Sequence, residues 1–131
     1  MITHTATERF VVIIVEDEPL IRMSLVDMVA ELGFEVLDAK DAQDALAILN
    51  VQAARIGILI TDINMPGTID GIVLANQTKR NWPWISVCVT SGNMPPTIGQ
   101  LPAGTRFFPK PYDCRTVVAH VAQIAGTAYL A

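Results

Sequence analysis

The sequence predicts an α/β fold in which helices cover both faces of a parallel sheet. Short runs rich in Val and Ile alternate along the chain with longer segments in which apolar residues recur at helical spacing. The runs at residues 10–15 and 56–61 are apolar almost throughout, which is typical of strands buried on both faces of a parallel sheet. Because strand and helix alternate, each helix is expected to return the chain to the next parallel strand.

The first helix follows the run at residues 10–15 and has recognisable signals at both ends. Pro19 suits the first helical turn, and Gly33 is typical of the position just beyond a helix end. A short second strand is expected at residues 34–37. The residues expected to face the sheet from this helix are Ile21, Leu25, Met28, Val29 and Leu32.

The later elements repeat the pattern. Asp41 is expected to cap a second helix, and a third helix is expected at residues 71–81. A fourth strand is predicted at residues 84–89, a short fifth strand at residues 107–108 and a last helix at residues 113–128. The inward positions are Ala42, Ala45, Leu46 and Leu49 on the second helix, and Val117, Val118, Val121 and Ile124 on the last.

The segment between the fourth and fifth strands departs from this regularity. A helix is expected there, but Pro95, Pro96, Gly99 and Pro102 leave room for only about a turn or two. The sequence therefore predicts a short or irregular fourth helix.

The composition fits one domain with a large core and argues against some classes of function. Hydrophobic residues make up 51% of the 131 residues and charged residues only 17%, so much of the apolar content must be buried between layers. The formal net charge is −4 and Lys and Arg form no cluster, which argues against direct binding to nucleic acid.

The sequence shows no signal for membrane insertion or export. No apolar run approaches the ~18 residues of a transmembrane helix, and residues 1–9 lack the apolar core of a signal peptide. A cytoplasmic protein without membrane contact is the expectation.

Acidic residues stand where the two most apolar runs end. Glu16 and Asp17 follow the first run, and Asp62 follows the run at residues 56–61. In parallel sheets the ligand site lies outside the carboxyl ends of the strands, so these carboxylates are expected to share one cleft. Because carboxylates in one cleft repel one another, the pattern indicates a site for a hard cation.

Two further polar residues are expected at the same edge of the sheet. Thr90 lies at the end of the fourth predicted strand, and Lys110 follows the fifth. The edge then holds three acids, one hydroxyl and one cation.

This set of strand-end residues resembles the receiver domain of two-component response regulators. Four segments carry the resemblance, at residues 15–17, 62–66, 90–92 and 110–112, and it extends from about residue 9 to about residue 126. It implies a flavodoxin-like, doubly wound (βα)5 fold with a five-stranded parallel sheet in the order 2-1-3-4-5.

The resemblance also sets the expected domain organisation. Residues 1–8 would form an N-terminal tail and residues 9–128 the receiver domain. Because the chain ends after the last predicted helix, no output domain is expected, and the receiver would stand alone.

The resemblance implies a phosphoryl-transfer site. Asp62 would be the phosphoacceptor and would attack the phosphoryl group of a phosphohistidine. Asp17 and Asp62 would ligate Mg²⁺ together with the backbone carbonyl of Asn64, and Glu16 would act through a metal-bound water. Mg²⁺ and Lys110 would neutralise the charge that develops on the phosphoryl oxygens.

A two-state switch is implied as well. Thr90 would turn its hydroxyl toward the phosphoryl group and open space for Phe107, the aromatic switch residue of the fifth strand. The contacts of the phosphoryl group with Thr90 and Lys110 would supply the differential interaction that such a switch requires.

One departure from the family pattern borders this site. Between Pro66 and the pair Asp70-Gly71 the chain has one residue more than the commonest family spacing, which lengthens a loop. The proline-rich segment before the fifth strand is a second departure, because it replaces a helix through which many receivers address their targets.

The implied partners are proteins. The phosphoryl donor would be a sensor histidine kinase or a histidine phosphotransfer protein, and a downstream protein target would read the signal by direct contact. Such a domain is a signalling switch rather than a conventional enzyme. Two alternatives stay open: a receiver-like scaffold that acts without phosphorylation, and a phosphate sink that drains a histidine kinase.

Two other classes fit the sequence less well. A phosphohydrolase of the haloacid dehalogenase type would need a second acid two residues after Asp62, where this chain has Asn64. A flavin-binding module would need a phosphate loop after the first strand, where Glu16, Asp17 and Glu18 would repel the phosphate.

Overall fold

The protein forms a five-stranded parallel sheet with helices on both faces. The structure, a computed structural model, describes residues 11–65, 67, 69–92, 100–110 and 113–130, with side chains described as far as residue 126. The strands are β1 (Val11–Val15), β2 (Val36–Ala39), β3 (Ile56–Asp62), β4 (Ser86–Ser91) and β5 (Arg106–Pro109). All neighbouring strands pair in parallel, in the order β2-β1-β3-β4-β5. The predicted fold class and strand order are therefore confirmed.

Helices follow the strands as the alternating pattern predicts. Those in the described part of the chain are α1 (Pro19–Glu31), α2 (Ala42–Gln52), α3 (Gly71–Asn81) and the C-terminal helix α4 (Cys114–Leu130). A short 3-10 turn, Ala53–Arg55, precedes β3. None of the helices in the described part of the chain combines the length and the apolar character of a membrane-spanning segment.

The buried strands divide their side chains between two cores, one on each face of the sheet. In β1, Val11, Ile13 and Val15 belong to a core that includes apolar residues of α2 and α3. Val12 and Ile14 belong to the opposite core, which is shared with α1 and α4. Because successive side chains of a strand point to opposite faces, the run at residues 11–15 must be apolar throughout to fill both cores.

The helix ends and inward faces agree largely with the sequence-based expectations. The Asp41 side chain accepts a hydrogen bond from the backbone N–H of Asp44 and so caps α2, as predicted. Leu25 and Val29 of α1 are buried. The prediction that Leu32 faces the sheet is wrong, since this residue is 42% exposed. Leu32 follows the last residue of α1, where the chain is already leaving the helix toward Gly33, which has a φ of 96°.

Two strands lie later along the chain than predicted. β2 begins at Val36 rather than at residue 34, and Phe34 packs against the core shared by α1 and α4 before the strand begins. β4 begins at Ser86, and Trp84 precedes it with its indole N–H donating to the Ala53 carbonyl at 3.1 Å. Phe34 thus packs on the core without pairing in the sheet, whereas Trp84 is 45% exposed and makes its hydrogen bond to Ala53 ahead of the strand.

The connection from β4 to β5 is described only in part. Residues 93–99, on which most of the predicted short or irregular fourth helix falls, lie outside the described residues. Residues 100–105 contain turns and bends but no helix. The Asn76 side chain of α3 donates to the Gln100 carbonyl at 2.7 Å and so ties this connection to the helix.

Gly71, the first residue of α3, packs directly on the backbone at the end of β3. Its N–H donates to the Ile63 carbonyl at 2.9 Å. A Cβ atom at this position would lie 2.1 Å from the Asp62 carbonyl oxygen and 2.6 Å from the Ile63 Cα. Only glycine fits this close approach of helix and strand.

Replacing Gly71 by alanine is expected to lower the free energy of unfolding by about 1–3 kcal/mol or more, because α3 must move away from the end of β3. Gly126→Ala in α4 is a matched control, since a Cβ there meets no heavy atom within 4 Å. The control should leave stability unchanged or raise it by up to about 1 kcal/mol through helix propensity. Urea denaturation of both variants measures the difference, and equal stability would contradict the close approach at Gly71.

Candidate functional site

The register of the sheet brings the predicted polar residues to one edge. Asp62, the last residue of β3, pairs in register with Thr90 of β4. Val15, which pairs with Thr61, is followed directly by Glu16 and Asp17. At β5, the N–H of Lys110 continues the pairing by donating to the Ser91 carbonyl at 2.7 Å. The structure therefore places the residues predicted for this edge together.

Three carboxylates converge in this cleft. One ligand oxygen from each of Glu16, Asp17 and Asp62 lies within 4.8 Å of the other two. Glu16 and Asp62 are only 2% and 4% exposed, whereas Asp17 is exposed to solvent. Carboxylate oxygens at this spacing are the ligands that Mg²⁺ and similar hard cations prefer, so the residues present fit such an ion.

Lys110 is the cation that joins the two buried acids. Its Nζ lies 2.9 Å from Asp62 Oδ2 and 3.1 Å from Glu16 Oε1. Burial opposes the charged form of the amine, but the hydrogen bonds and charges of Asp62 and Glu16 outweigh it and raise the pKa of Lys110. The lysine is therefore held as an ammonium between the acids.

Glu16 is held on several sides. Burial raises the pKa of its carboxyl, while the hydrogen bond from the Glu18 N–H and the nearby Lys110 ammonium lower it in part. The Glu18 N–H donates to Glu16 Oε2 at 3.0 Å. The main chain of Glu16 donates to the Ala39 carbonyl at 3.1 Å and accepts from Nη1 of Arg22 at 2.7 Å.

Asn64 contributes more to the site than the sequence indicated. Its backbone N–H donates to Asp62 Oδ1 at 3.1 Å, so the main chain that carries the predicted carbonyl ligand lies beside the Asp62 carboxylate. Its side-chain amide donates to the Ser91 hydroxyl at 2.9 Å and so bridges the loop after β3 to the end of β4. The sequence-based interpretation assigned a role to the Asn64 carbonyl alone and gave none to Arg22.

Thr90 and Phe107 lie on the adjacent strands β4 and β5. Thr90 is 2% exposed, and its carbonyl accepts from the Ile63 N–H at 2.8 Å. Phe107 pairs in register with Val89 and packs, partly buried, against the core shared by α2 and α3. The switching roles of Thr90 and Phe107 stay a prediction.

The Lys110→Met variant is expected to raise the pKa of Glu16 further, because the loss of the ammonium removes a hydrogen bond and a favourable charge. A raised carboxyl pKa means that the folded protein binds the proton more tightly than the unfolded chain does. The free energy of unfolding should then fall as pH rises through the range between the unfolded and folded pKa values of Glu16. That range should extend to higher pH in the variant.

Carboxyl ¹³C NMR titration of Glu16 measures this effect. Lys40→Met is the matched control, since Lys40 pairs with Asp44 at the surface and is not among the groups that shift Glu16. An unchanged or lower pKa of Glu16 in Lys110→Met would show that Lys110 does not stabilise the Glu16 carboxylate.

Comparison with known families matches most of the chain. The family model described as the response regulator receiver domain matches residues 12–122. The crystal structure of the receiver domain from the hybrid histidine kinase CckA superposes with a TM-score of 0.76 at 33% identity, covering 88% of this chain and 99% of that chain. A response regulator receiver protein from Sinorhizobium medicae shares the fold with a TM-score of 0.82 at 20% identity, over 92% of this chain and 98% of that one.

Curated relatives with related sequences are longer proteins. The sensor kinase CckA of Brucella abortus is 28% identical over 86% of this chain, which spans 12% of the kinase. The uncharacterized transcriptional regulatory protein YrkP of Bacillus subtilis is 31% identical over 84% of this chain, which spans 47% of that protein. The matched family model and the strand-end residues agree over nearly the whole fold. The chain belongs to the response regulator receiver domain family of two-component systems.

Proposed function

We propose that this domain accepts a phosphoryl group on Asp62 from a phosphohistidine of a sensor histidine kinase or a histidine phosphotransfer protein. One observation carries the proposal: Asp62 is a buried carboxylate that contacts the Lys110 ammonium and also belongs to a cluster of three carboxylates. A carboxylate in that setting has the cationic partner and the metal-ligand neighbours that phosphoryl transfer to it requires.

The transfer exchanges one bond for another. A carboxylate oxygen of Asp62 attacks the phosphorus, and the bond from phosphorus to the histidine nitrogen breaks with its electron pair staying on that nitrogen. The product is an acyl phosphate. The Asn64 N–H on Oδ1 and the Lys110 ammonium on Oδ2 orient the carboxylate for this attack. Lys110 then lies within reach of the arriving phosphoryl oxygens.

The residues that would hold a divalent cation follow from their exposure and existing partners. Asp17 is exposed at the cleft and would be a direct ligand, together with Asp62 and the backbone carbonyl of Asn64. Glu16 already accepts hydrogen bonds from Glu18 N–H and Lys110, which supports its action through a water rather than directly. A bound Mg²⁺ would neutralise part of the negative charge of the phosphoryl group and of the acids that this group approaches.

The output of the domain would be a change in protein contacts. Phosphorylation would draw the Thr90 hydroxyl toward the phosphoryl group, and Phe107 would repack beside the end of β4. The pairing of Thr90 with Asp62 and the position of Phe107 on the neighbouring strand β5 support this proposal. A downstream protein would distinguish the two states, because a ligand shifts an equilibrium only through contacts that differ between them.

The alternative functions differ from this proposal in a measurable way. A phosphorylation-independent scaffold needs no acceptor chemistry, whereas a phosphate sink accepts the phosphoryl group but addresses no further target. Asp62 lies in one cleft with Lys110 and the other acids of the cluster. A scaffold that acts without phosphorylation has no need of this set, so the two functions in which Asp62 accepts a phosphoryl group are favoured.

Intact-protein mass spectrometry after incubation with acetyl phosphate and Mg²⁺ tests the proposal. The wild-type protein is expected to gain one phosphoryl group, and Asp62→Asn is expected to gain none. EDTA should abolish the gain, because the acids repel the phosphoryl donor without a cation. Asp70→Asn is a matched control, since Asp70 caps α3 outside the cleft and asparagine keeps the cap.

Two results would refute the assignment. Phosphorylation of Asp62→Asn would place the acceptor elsewhere, and full labelling in EDTA would remove the need for a divalent cation.

A further inference from the structure

Arg22 connects three segments at the rim of the acidic cluster. It lies in the first turns of α1, and its Nη1 donates to the Glu16 carbonyl at 2.7 Å. Its Nε lies 3.1 Å from Asp38 Oδ2 of β2. The Arg22 side chain is 20% exposed, so this guanidinium is mostly enclosed by the elements it joins.

The carbonyl that Arg22 holds belongs to the peptide bond between Glu16 and Asp17. A peptide unit is planar, so the direction of the Glu16 carbonyl fixes the plane that also contains the N and Cα of Asp17. The other side of Glu16 is fixed as well, because its N–H donates to the Ala39 carbonyl at 3.1 Å. Arg22 therefore fixes the orientation of the peptide bond that precedes Asp17.

The orientation of the Asp17 carboxylate depends on the position of its main chain. In the part of the chain that the structure describes, its carboxylate makes no hydrogen bond or ion pair, although it lies within the cluster with Glu16 and Asp62. Both Glu16 and Asp62 have Lys110 as a side-chain partner. The direction of the Asp17 carboxylate thus depends on its backbone far more than that of the other two acids does.

We propose that Arg22 is a positioning residue for the divalent-cation site: it fixes the Glu16–Asp17 peptide and thereby aims the Asp17 carboxylate into the cluster. The inference rests on the proposed function, in which Asp17 is a cation ligand. An arginine suits the task because one planar guanidinium presents Nη1 to a carbonyl and Nε to a carboxylate at the same time. A lysine ammonium has no such fixed fork.

A purely electrostatic role for Arg22 predicts the opposite result. A positive charge on the segment that leads into the cluster repels an incoming cation, so its removal alone would strengthen cation binding. Loss of the positioning contact would weaken cation binding instead. The sign of the change in Mg²⁺ affinity therefore separates the two roles.

NMR-monitored titration with Mg²⁺ alone tests the inference without any phosphoryl donor. Arg22→Gln is expected to bind Mg²⁺ about tenfold more weakly than wild type, the lower end of the range for residues that orient metal ligands. Arg22→Lys keeps the charge but loses the fork, and should also bind more weakly. Arg55→Gln is the matched control, because Arg55 pairs with Glu35 and Gln52 at the surface and should leave Mg²⁺ affinity unchanged.

The outcomes are distinguishable. A wild-type protein that binds no Mg²⁺ overturns the cation site itself, and the inference with it. A wild type that binds Mg²⁺ while both Arg22 variants bind as tightly or more tightly overturns the positioning role alone. Thermal unfolding without metal accompanies the titration, and if Arg22→Gln does not fold, Arg22→Lys decides the question because a charge effect predicts no change for it.

Discussion

Burial of two carboxylates at the edge of an apolar sheet is the constraint on which the rest of the site depends. Glu16 and Asp62 are almost entirely enclosed, and burial raises the pKa of the Glu16 carboxyl. A single ammonium, that of Lys110, contacts both acids, and exposed Asp17 adds a third negative charge. The carboxylates of the cluster outnumber this ammonium by two charges, which is the charge of one alkaline-earth cation. The divalent cation proposed for this site would balance that excess of negative charge.

The parallel sheet holds the carboxylates of Glu16, Asp17 and Asp62 close together although they repel one another. β1 and β3 contribute side chains to cores on both faces, so their backbones are held firmly and their carboxyl ends are fixed relative to each other. Backbone hydrogen bonds continue past the strand ends, from Ile63 to Thr90 and from Lys110 to Ser91. The polar residues consequently lie on a rigid edge, and the free energy that holds them there comes from the apolar cores.

Much of this arrangement could be predicted from the sequence because it depends on local order. The apolar runs locate β1 and β3, and the residues that follow a parallel strand must lie at the same edge, which is why Glu16, Asp62 and Lys110 were identified. Their chemical roles stay predictions until they are measured. What the sequence does not reveal is contact between distant segments: nothing adjacent to Arg22 indicates that it holds the Glu16 carbonyl.

Two further contacts were missed for the same physical reason. Gly71 looks like an ordinary helix start in the sequence, and its necessity follows only from the Asp62 carbonyl that a side chain would meet. The Asn64 amide reaches Ser91 across 27 residues of chain, a partner that no spacing rule suggests.

Leu32 was placed wrongly because helical periodicity continues in sequence after the helix itself has ended.

The location of Trp84 has a practical consequence for spectroscopy. The indole is held by the Ala53 carbonyl just before β4 begins, whereas the acidic cleft lies beyond the other end of that strand, about 16 Å away at ~3.3 Å per residue. Its emission should therefore change when the sheet comes apart and stay nearly constant when an ion enters the cleft. Trp82, the other tryptophan, also precedes β4, so the intrinsic fluorescence of the protein should report global unfolding and be insensitive to occupancy of the cleft.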